Sequence, residues 1–245
     1  MTVEKDAVPL VPGTAQSSAG VADPAVLLAR VRALRERSGG ARVVVGIAGS
    51  PGAGKTTLAL RLAEAIGPEA VHVPMDGFHL ANATLDRLGR HERKGALDTF
   101  DGWGFVALLR RVREEPDRTV YAPSFHREVD EPVAGEIAVE PSHAVVVVEG
   151  NYLLVAEEPW DRVPGLLDEA WFCGTDPTER ERRLVDRHTR HGRTVEAATA
   201  WASEVDGRNA LLVEPTRSRA DLVVSGAIRF DAVPPARSTS AERTG

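Results

Sequence analysis

The stretch of residues 49–56, GSPGAGKT, combines residue types at a spacing that suits phosphate binding. Its glycines fit the pattern GxxxxGK[ST], in which the backbone turns tightly and points N–H groups at phosphate oxygens. Lys55 can reach the β- and γ-phosphates of ATP, and the Thr56 hydroxyl can bind Mg²⁺. Because an apolar run precedes the stretch and a helix-forming run follows it, a plain glycine-rich turn is the weaker alternative. The predicted nucleotide-binding residues are Gly49, Ser50, Pro51, Gly52, Ala53, Gly54, Lys55, Thr56 and Thr57.

Two carboxylates at the ends of apolar runs are the candidates for determining which reaction a bound nucleotide undergoes. Asp76 follows the run at 71–75, and α/β sheets bind ligands at the carboxyl ends of their strands. It is predicted to accept the proton of a substrate hydroxyl that attacks the γ-phosphate, with a helix cap or an indirect Mg²⁺ contact as alternatives. Glu149 follows four valines and is predicted to bind Mg²⁺, the alternative being an ion pair with a nearby Arg.

An arginine-rich segment at residues 176–193 is the third candidate feature. Such a helix is often a solvated face, and Glu179, Glu181 and Asp186 could neutralise several of its charges. Kinases, however, need cations that close over the triphosphate, and Arg suits bidentate contact with phosphate. We therefore predict a lid, with Arg183 and Arg187 on the nucleotide and Arg187 also catalytic. Arg190 and Arg193 are further lid candidates.

The remaining sequence alternates strand-like and helix-like segments, which predicts an α/β fold. Strands are predicted at 43–48, 71–75, 144–150, 170–172 and 220–224, and a hairpin that could form a substrate flap at 121–140. Helices are predicted from Asp23 and Pro24 onward, and at 57–66, 81–89, 105–114, 163–168, 176–193 and 194–212. Residues 91–104 are predicted to form an ordered loop at the active site.

Composition limits the class of protein. The 245 residues carry a net charge of −6, which argues against a general nucleic-acid-binding surface. The apolar runs are far shorter than the roughly 20 residues that cross a bilayer, so we expect a cytoplasmic protein without membrane contact. A single cysteine, Cys173, excludes an internal disulfide. We predict one kinase domain at 21–230 between flexible tails at 1–20 and 231–245.

Five segments in a fixed order give the chain a family resemblance. GIAGSPGAGKTTLA, VPMDGFHL, YAPSFHREVDEPVAG, VVVVEGNYLL and ERRLVDRHTRHGR together resemble the phosphoribulokinase, uridine kinase and type I pantothenate kinase group, over residues 42 to about 224. The nearest likeness is to bacterial proteins called nucleoside/nucleotide kinases. The resemblance implies a P-loop NTPase fold, with a doubly wound five-stranded parallel sheet, helices on both faces and a small lid or flap.

The same resemblance implies an ATP-dependent phosphotransferase that acts on an alcohol. It assigns the catalytic base to Asp76, the Mg²⁺-associated carboxylate to Glu149, and substrate contacts to Tyr121, His126 and Arg127. The pair formed by Gly77 and His79 is similar to that of pantothenate kinases. Further predicted substrate contacts are Phe78, His79 and Asn151, although a histidine or tyrosine here could equally be a packed residue.

The leading interpretation is a small-molecule kinase whose acceptor is a nucleoside, a sugar or a pantothenate-like alcohol. The alternative is a regulatory P-loop NTPase switch that acts through a protein partner, but the chain contains no NKxD guanine-reading segment. A catalytically silent binding module is disfavoured by Lys55, Thr56, Asp76 and Glu149 together. The sequence leaves open the acceptor and whether the chain forms a homodimer.

Overall fold

The computed structural model describes residues 20–190 and 192–230. Its strands are β1 (Val43–Ala48), β2 (Ala70–Pro74), β3 (Val120–His126), β4 (Glu131–Val139), β5 (Val145–Gly150), β6 (Glu169–Gly174) and β7 (Leu222–Ser225). Its α-helices are α1 (Pro24–Arg37), α2 (Lys55–Ile66), α3 (Asn82–Leu88), α4 (Gly102–Glu114), α5 (Pro177–Arg190), α6 (Val195–Trp201) and α7 (Gly207–Val213). Residues 1–19 and 231–245, on which the predicted tails fall, lie outside the described residues.

Five parallel strands form the central sheet in the order β2, β5, β1, β6, β7. Every residue of β1 and of β5 is buried, as expected of apolar runs that are covered on both faces. Alternate side chains enter two separate cores: Val45 and Val147 pack on the side of α1 and α2, and Val44 and Val146 on the side of α4. The predicted doubly wound α/β fold is confirmed.

The hairpin predicted at 121–140 is present as a separate two-stranded antiparallel sheet of β3 and β4. We call it the flap. It packs against the single 3₁₀ turn Met75–Phe78 that follows β2. Gly77 permits this contact, because a Cβ atom there would lie 2.2 Å from the Pro123 carbonyl oxygen of β3. The close approach places the flap beside the carboxyl ends of the strands.

Several predicted helix boundaries were wrong. Helix α4 begins at Gly102 rather than at 105, because Asp101 caps it by accepting from the Gly104 N–H at 2.8 Å. The helix predicted at 163–168 is instead a 3₁₀ turn, Pro164–Leu166, preceded by another at Trp160–Arg162. The single helix predicted at 194–212 is interrupted by the π-helical turn Ala202–Asp206, which separates α6 from α7.

Candidate active site

The phosphate loop joins β1 to α2 and is held in shape by its neighbours. Gly54 has a φ of 100° immediately before α2, a conformation that residues with a Cβ atom rarely adopt. The Thr175 hydroxyl donates to the Ala53 carbonyl at 2.7 Å, and the Ser50 hydroxyl donates to Glu214 at 2.5 Å. These contacts come from the far end of the chain, so the loop has its shape before any ligand binds.

Lys55, the first residue of α2, is only 7% exposed. Its ammonium group donates to the Ser50 carbonyl at 3.0 Å and to Asn151 Oδ1 at 2.7 Å. Burial lowers the pKa of Lys55, while the carboxylates of Glu149 and Asp76 act against that shift. A charge so poorly solvated gains from an anionic partner, and the phosphate oxygens of a bound triphosphate are such a partner.

Thr56 and Glu149 provide two oxygen atoms for a cation. The Thr56 hydroxyl donates to Glu149 Oε1 at 3.0 Å, and the glutamate is 3% exposed at the end of β5. The predicted alternative was an arginine partner, but in the described part of the chain the basic group within ion-pair distance is His72, at 3.8 Å. A hydroxyl and a carboxylate suit Mg²⁺, which commonly binds one or two protein oxygens together with substrate phosphates.

Asp76 lies in the 3₁₀ turn after β2 and has 34% of its side chain exposed. It is not the cap of that turn, whose preceding residue is Pro74. Its Oδ2 atom is 3.9 Å from a guanidinium nitrogen of Arg127, on the flap. A carboxylate that is accessible and faces the same cavity as the phosphate loop is able to accept a proton from a bound hydroxyl.

An aromatic wall continues from Asp76. His79 stacks on Phe100 with ring centroids 4.0 Å apart and lies 4.8 Å from Phe125. Burial lowers the pKa of His79 to about 4, so its ring is neutral at pH 7. Its Nδ1 atom is buried without a hydrogen-bond partner among the described residues.

The lid segment brings two arginines, Arg187 and Arg193, into the cavity. Burial lowers the pKa of Arg187 on α5, although the nearby carboxylates of Asp206 and Asp76 favour its charge. Asp206, in the π-helical turn, is 7% exposed and lies 2.8 Å from the ring of His188. Arg193 stacks on the Trp201 ring at 3.9 Å. The lid segment therefore contributes cations to the cavity, and the π-helical turn contributes a buried acid.

These groups share one cavity of about 600 Å³. The predicted residues that line it are Pro51, Gly52, Gly54, Lys55, Thr56, Thr57, Asp76, His79, Arg127, Glu149, Asn151 and Arg187. Those that do not are Gly49, Ser50, Ala53, Phe78, Tyr121, His126 and Arg183. The structure thus brings together the phosphate loop, both carboxylates and two of the lid arginines, Arg187 and Arg193. The contacts of these residues with ligands stay predictions.

The predicted residues outside the cavity have other surroundings. Tyr121 is 61% exposed on the flap, and His126 lies 2.6 Å from Glu136 of the opposite strand. Phe78 packs edge-on against Phe105. Arg183 binds Glu179 and donates to the Gly226 carbonyl at 3.3 Å, so it supports the back of the phosphate loop.

Sequence reasoning missed six polar residues that line the cavity: His91, Lys94, Asp130, His188, Asp206 and Asn209. Lys94 donates to Asn82 Oδ1 at 2.7 Å and to Asp130 Oδ2 at 2.9 Å. Asn209 donates to the Gly95 carbonyl at 3.0 Å. The only signal for Lys94 was its place in the irregular, charged loop, since its partners are distant in the sequence.

Fold and site together define a P-loop kinase. The family model described as "Phosphoribulokinase / Uridine kinase family" matches residues 44–230, and the chain belongs to this family. Within the described residues, no helix combines the length and apolar character needed to cross a membrane.

Three similar proteins illustrate the relationship. A Schizosaccharomyces pombe protein named "Putative uridine kinase" is 37% identical over 75% of this chain and 83% of its own length. A Borrelia hermsii uridine kinase is 30% identical over 74% of this chain and 85% of that protein. The crystal structure titled "putative fructose transport system kinase", from Silicibacter sp. TM1040, is 37% identical, has a TM-score of 0.76, and covers 82% of this chain and 98% of that one.

Proposed function

We propose that residues 21–230 form a single kinase domain that transfers the γ-phosphoryl group of ATP to a hydroxyl of a small metabolite, with Mg²⁺ as the metal. The main support for the proposal is that one cavity is lined by Lys55, Thr56, Glu149 and Asp76. A phosphate loop alone indicates only nucleotide binding. An accessible carboxylate facing the same space adds a site where an acceptor hydroxyl can lose its proton.

In this reaction, the residues that line the cavity have different roles. Asp76 accepts the proton as the acceptor oxygen forms its bond to the γ-phosphorus, and the bond from that phosphorus to the bridging oxygen breaks with its electron pair going to ADP. Lys55 and Arg187 stabilise the negative charge on the phosphoryl and leaving oxygens. Thr56 and Glu149 hold the Mg²⁺, which neutralises phosphate charge when bound. Closure of the lid excludes water, favouring the acceptor hydroxyl over hydrolysis.

The names of the relatives supply candidate acceptors, uridine and a sugar among them, beside a pantothenate-like alcohol. The decisive experiment measures ADP formation from Mg-ATP with and without each candidate and identifies the product by phosphorus NMR. A kinase forms ADP in step with a phosphorylated acceptor. Slow ADP formation that no acceptor stimulates would support the regulatory switch instead.

A further inference from the structure

Arg127 lies at the base of the flap's turn, one residue beyond the end of β3, and lines the cavity. Its guanidinium approaches Asp76 to 3.9 Å, which is too long for a hydrogen bond. Among the described residues it makes no hydrogen bond, and 46% of its side chain is exposed. A guanidinium with five N–H donors is therefore available beside the carboxylate that would receive the acceptor's proton.

The flap turn that carries Arg127 is held by a neighbouring cluster of residues. The Lys94 ammonium has three N–H bonds, and its three acceptors are Asn82 Oδ1, the Asp130 carboxylate and the Asp130 carbonyl. Glu131 at the start of β4 also accepts from the Asn82 N–H at 3.0 Å. These contacts tie the flap's turn to α3. Because the donors of Lys94 are all used within the protein, Arg127 is the one of these two cations that can bind a ligand.

The Phe and Trp side chains of the cavity already have neighbours packed against them. Phe100 already has His79 stacked on it at 4.0 Å. Phe125 has His79 at 4.8 Å and the Lys94 ammonium at 5.0 Å. Trp201 carries the Arg193 guanidinium at 3.9 Å. Each Phe or Trp ring in the described lining thus has a neighbour against it, which reduces the aromatic surface left for the stacking that base recognition commonly uses.

Resting on the proposed kinase function, we infer that the acceptor is a small hydroxy compound with its own oxyanionic group, which Arg127 binds while the hydroxyl contacts Asp76. A guanidinium recognises carboxylate and phosphate through the same paired N–H donors. A hydroxy acid and a sugar phosphate both have this chemistry. Arg127 thereby determines specificity by requiring the anion close to the reacting hydroxyl.

The first test compares acceptors with the wild-type chain and Mg-ATP. The arms are nucleosides (uridine and cytidine), neutral sugars and polyols (fructose and glycerol), hydroxy acids (glycerate) and sugar phosphates (fructose 6-phosphate). We expect kcat/KM for at least one anionic arm to exceed that of every neutral arm by about tenfold or more, as a charged hydrogen bond provides. If the hydroxy acid has the higher kcat/KM, the anionic group of the acceptor is a carboxylate; if the sugar phosphate does, it is a phosphate.

The outcomes separate this inference from the proposed function. A nucleoside or neutral sugar that reacts as well as the best anionic compound overturns the inference and leaves the kinase function standing. ADP formation that none of the arms stimulates overturns the kinase function itself.

The second test changes the guanidinium. With the anionic acceptor, Arg127→Gln should raise its KM by about 10- to 100-fold and leave the KM for ATP unchanged, and Arg127→Lys should restore part of the loss. Arg118→Gln is the matched control, because Arg118 is also exposed and also lies near one carboxylate, at 3.8 Å, but outside the cavity. A fall in kcat with an unchanged acceptor KM would place Arg127 on the transferred phosphoryl group and overturn the inference.

Discussion

The Lys55 ammonium lies 2.7 Å from Asn151 Oδ1, so the lysine of the phosphate loop is held by the residue that follows β5. The contact joins the start of α2 to the strand that also carries Glu149. Both partners of Lys55, Asn151 and the Ser50 carbonyl, are neutral acceptors. Phosphate oxygens carry more negative charge than either acceptor, so a triphosphate can bind the lysine more strongly than its protein partners do.

Lys55→Ala should lower turnover by at least about 100-fold, because it removes the charge that stabilises the phosphoryl and leaving oxygens. The fold should persist, since the change removes two hydrogen bonds but also the cost of burying a charge. We expect unchanged far-UV circular dichroism and a Tm within about 4 °C of the wild type, corresponding to a change of roughly 1–2 kcal/mol. Near-normal turnover in this variant would remove the assignment of the phosphate loop.

Glu149→Gln should raise the Mg²⁺ concentration needed for half-maximal activity, because an amide oxygen binds the cation less strongly than a carboxylate. Thr56→Ala should shift the same titration. If both residues hold one ion, the double variant should shift it by less than the sum of the single free-energy changes, since the residues are in contact at 3.0 Å. Superimposable Mg²⁺ titrations of Glu149→Gln and the wild type would contradict this role.

The sheet and the phosphate loop were predictable because their signals are local. Continuous apolar runs predicted β1 and β5, and the glycine pattern between a strand and a helix predicted the phosphate loop. The flap was also predicted, although the residues predicted on it did not all reach the cavity. Strand alternation in β3 places Phe125 in the lining and the adjacent His126 outside it, and Tyr121 lies on the other side of a register shift between Ala122 and Ser124.

Contacts that depend on the tertiary fold could not be predicted. Lys94 binds Asp130, a residue 36 positions away in sequence, and Asp206 reaches the cavity through a π-helical turn that has no clear sequence pattern. Arg183 and Arg187 are separated by one helical turn and look equivalent in the sequence. Their different surroundings follow from how α5 packs on the phosphate loop, which the sequence does not specify.

Asp76→Asn should lower kcat by about 10²- to 10⁴-fold, since the amide retains the size of the side chain but cannot accept the hydroxyl proton. The KM for ATP should stay the same. The matched control is Asp161→Asn, which changes an exposed carboxylate outside the cavity and should leave kcat unchanged. Weaker ATP binding with unchanged kcat would show instead that Asp76 belongs to the metal and nucleotide contacts.

His79 should make stability depend on pH. Burial lowers its pKa from the ordinary 6.5 to about 4, so between these values the unfolded chain takes up a proton that the native chain does not. Its contribution is complete above pH 6.5 and is lost as the pH falls towards 4, up to about 3 kcal/mol. Urea unfolding of the wild type and His79→Phe at pH 7 and pH 5 should show a smaller loss of stability in the variant. Equal losses would contradict the prediction.

Substitutions along the arginine-rich segment test the lid. We predict that Arg187→Ala lowers kcat by about 100-fold or more, because Arg187 faces the cavity that would hold the triphosphate and a cation there stabilises charge in the transition state. Arg193→Ala should have a smaller effect, since its guanidinium stacks on Trp201. Arg190→Ala is the matched control, as that side chain lies outside the cavity lining and donates to the Asp186 carbonyl at 3.2 Å.

The same lid should become more protected when its ligands bind. Asp206→Asn should reduce kcat in the same direction as Arg187→Ala but less, because it removes a negative charge that favours the charged form of Arg187. Hydrogen exchange across α5 and α6 should slow when a non-hydrolysable ATP analogue and the acceptor are present together, as lid closure would require. If exchange is unaffected by ligands and Arg187→Ala behaves like Arg190→Ala, the segment is a solvated surface and another element closes the site.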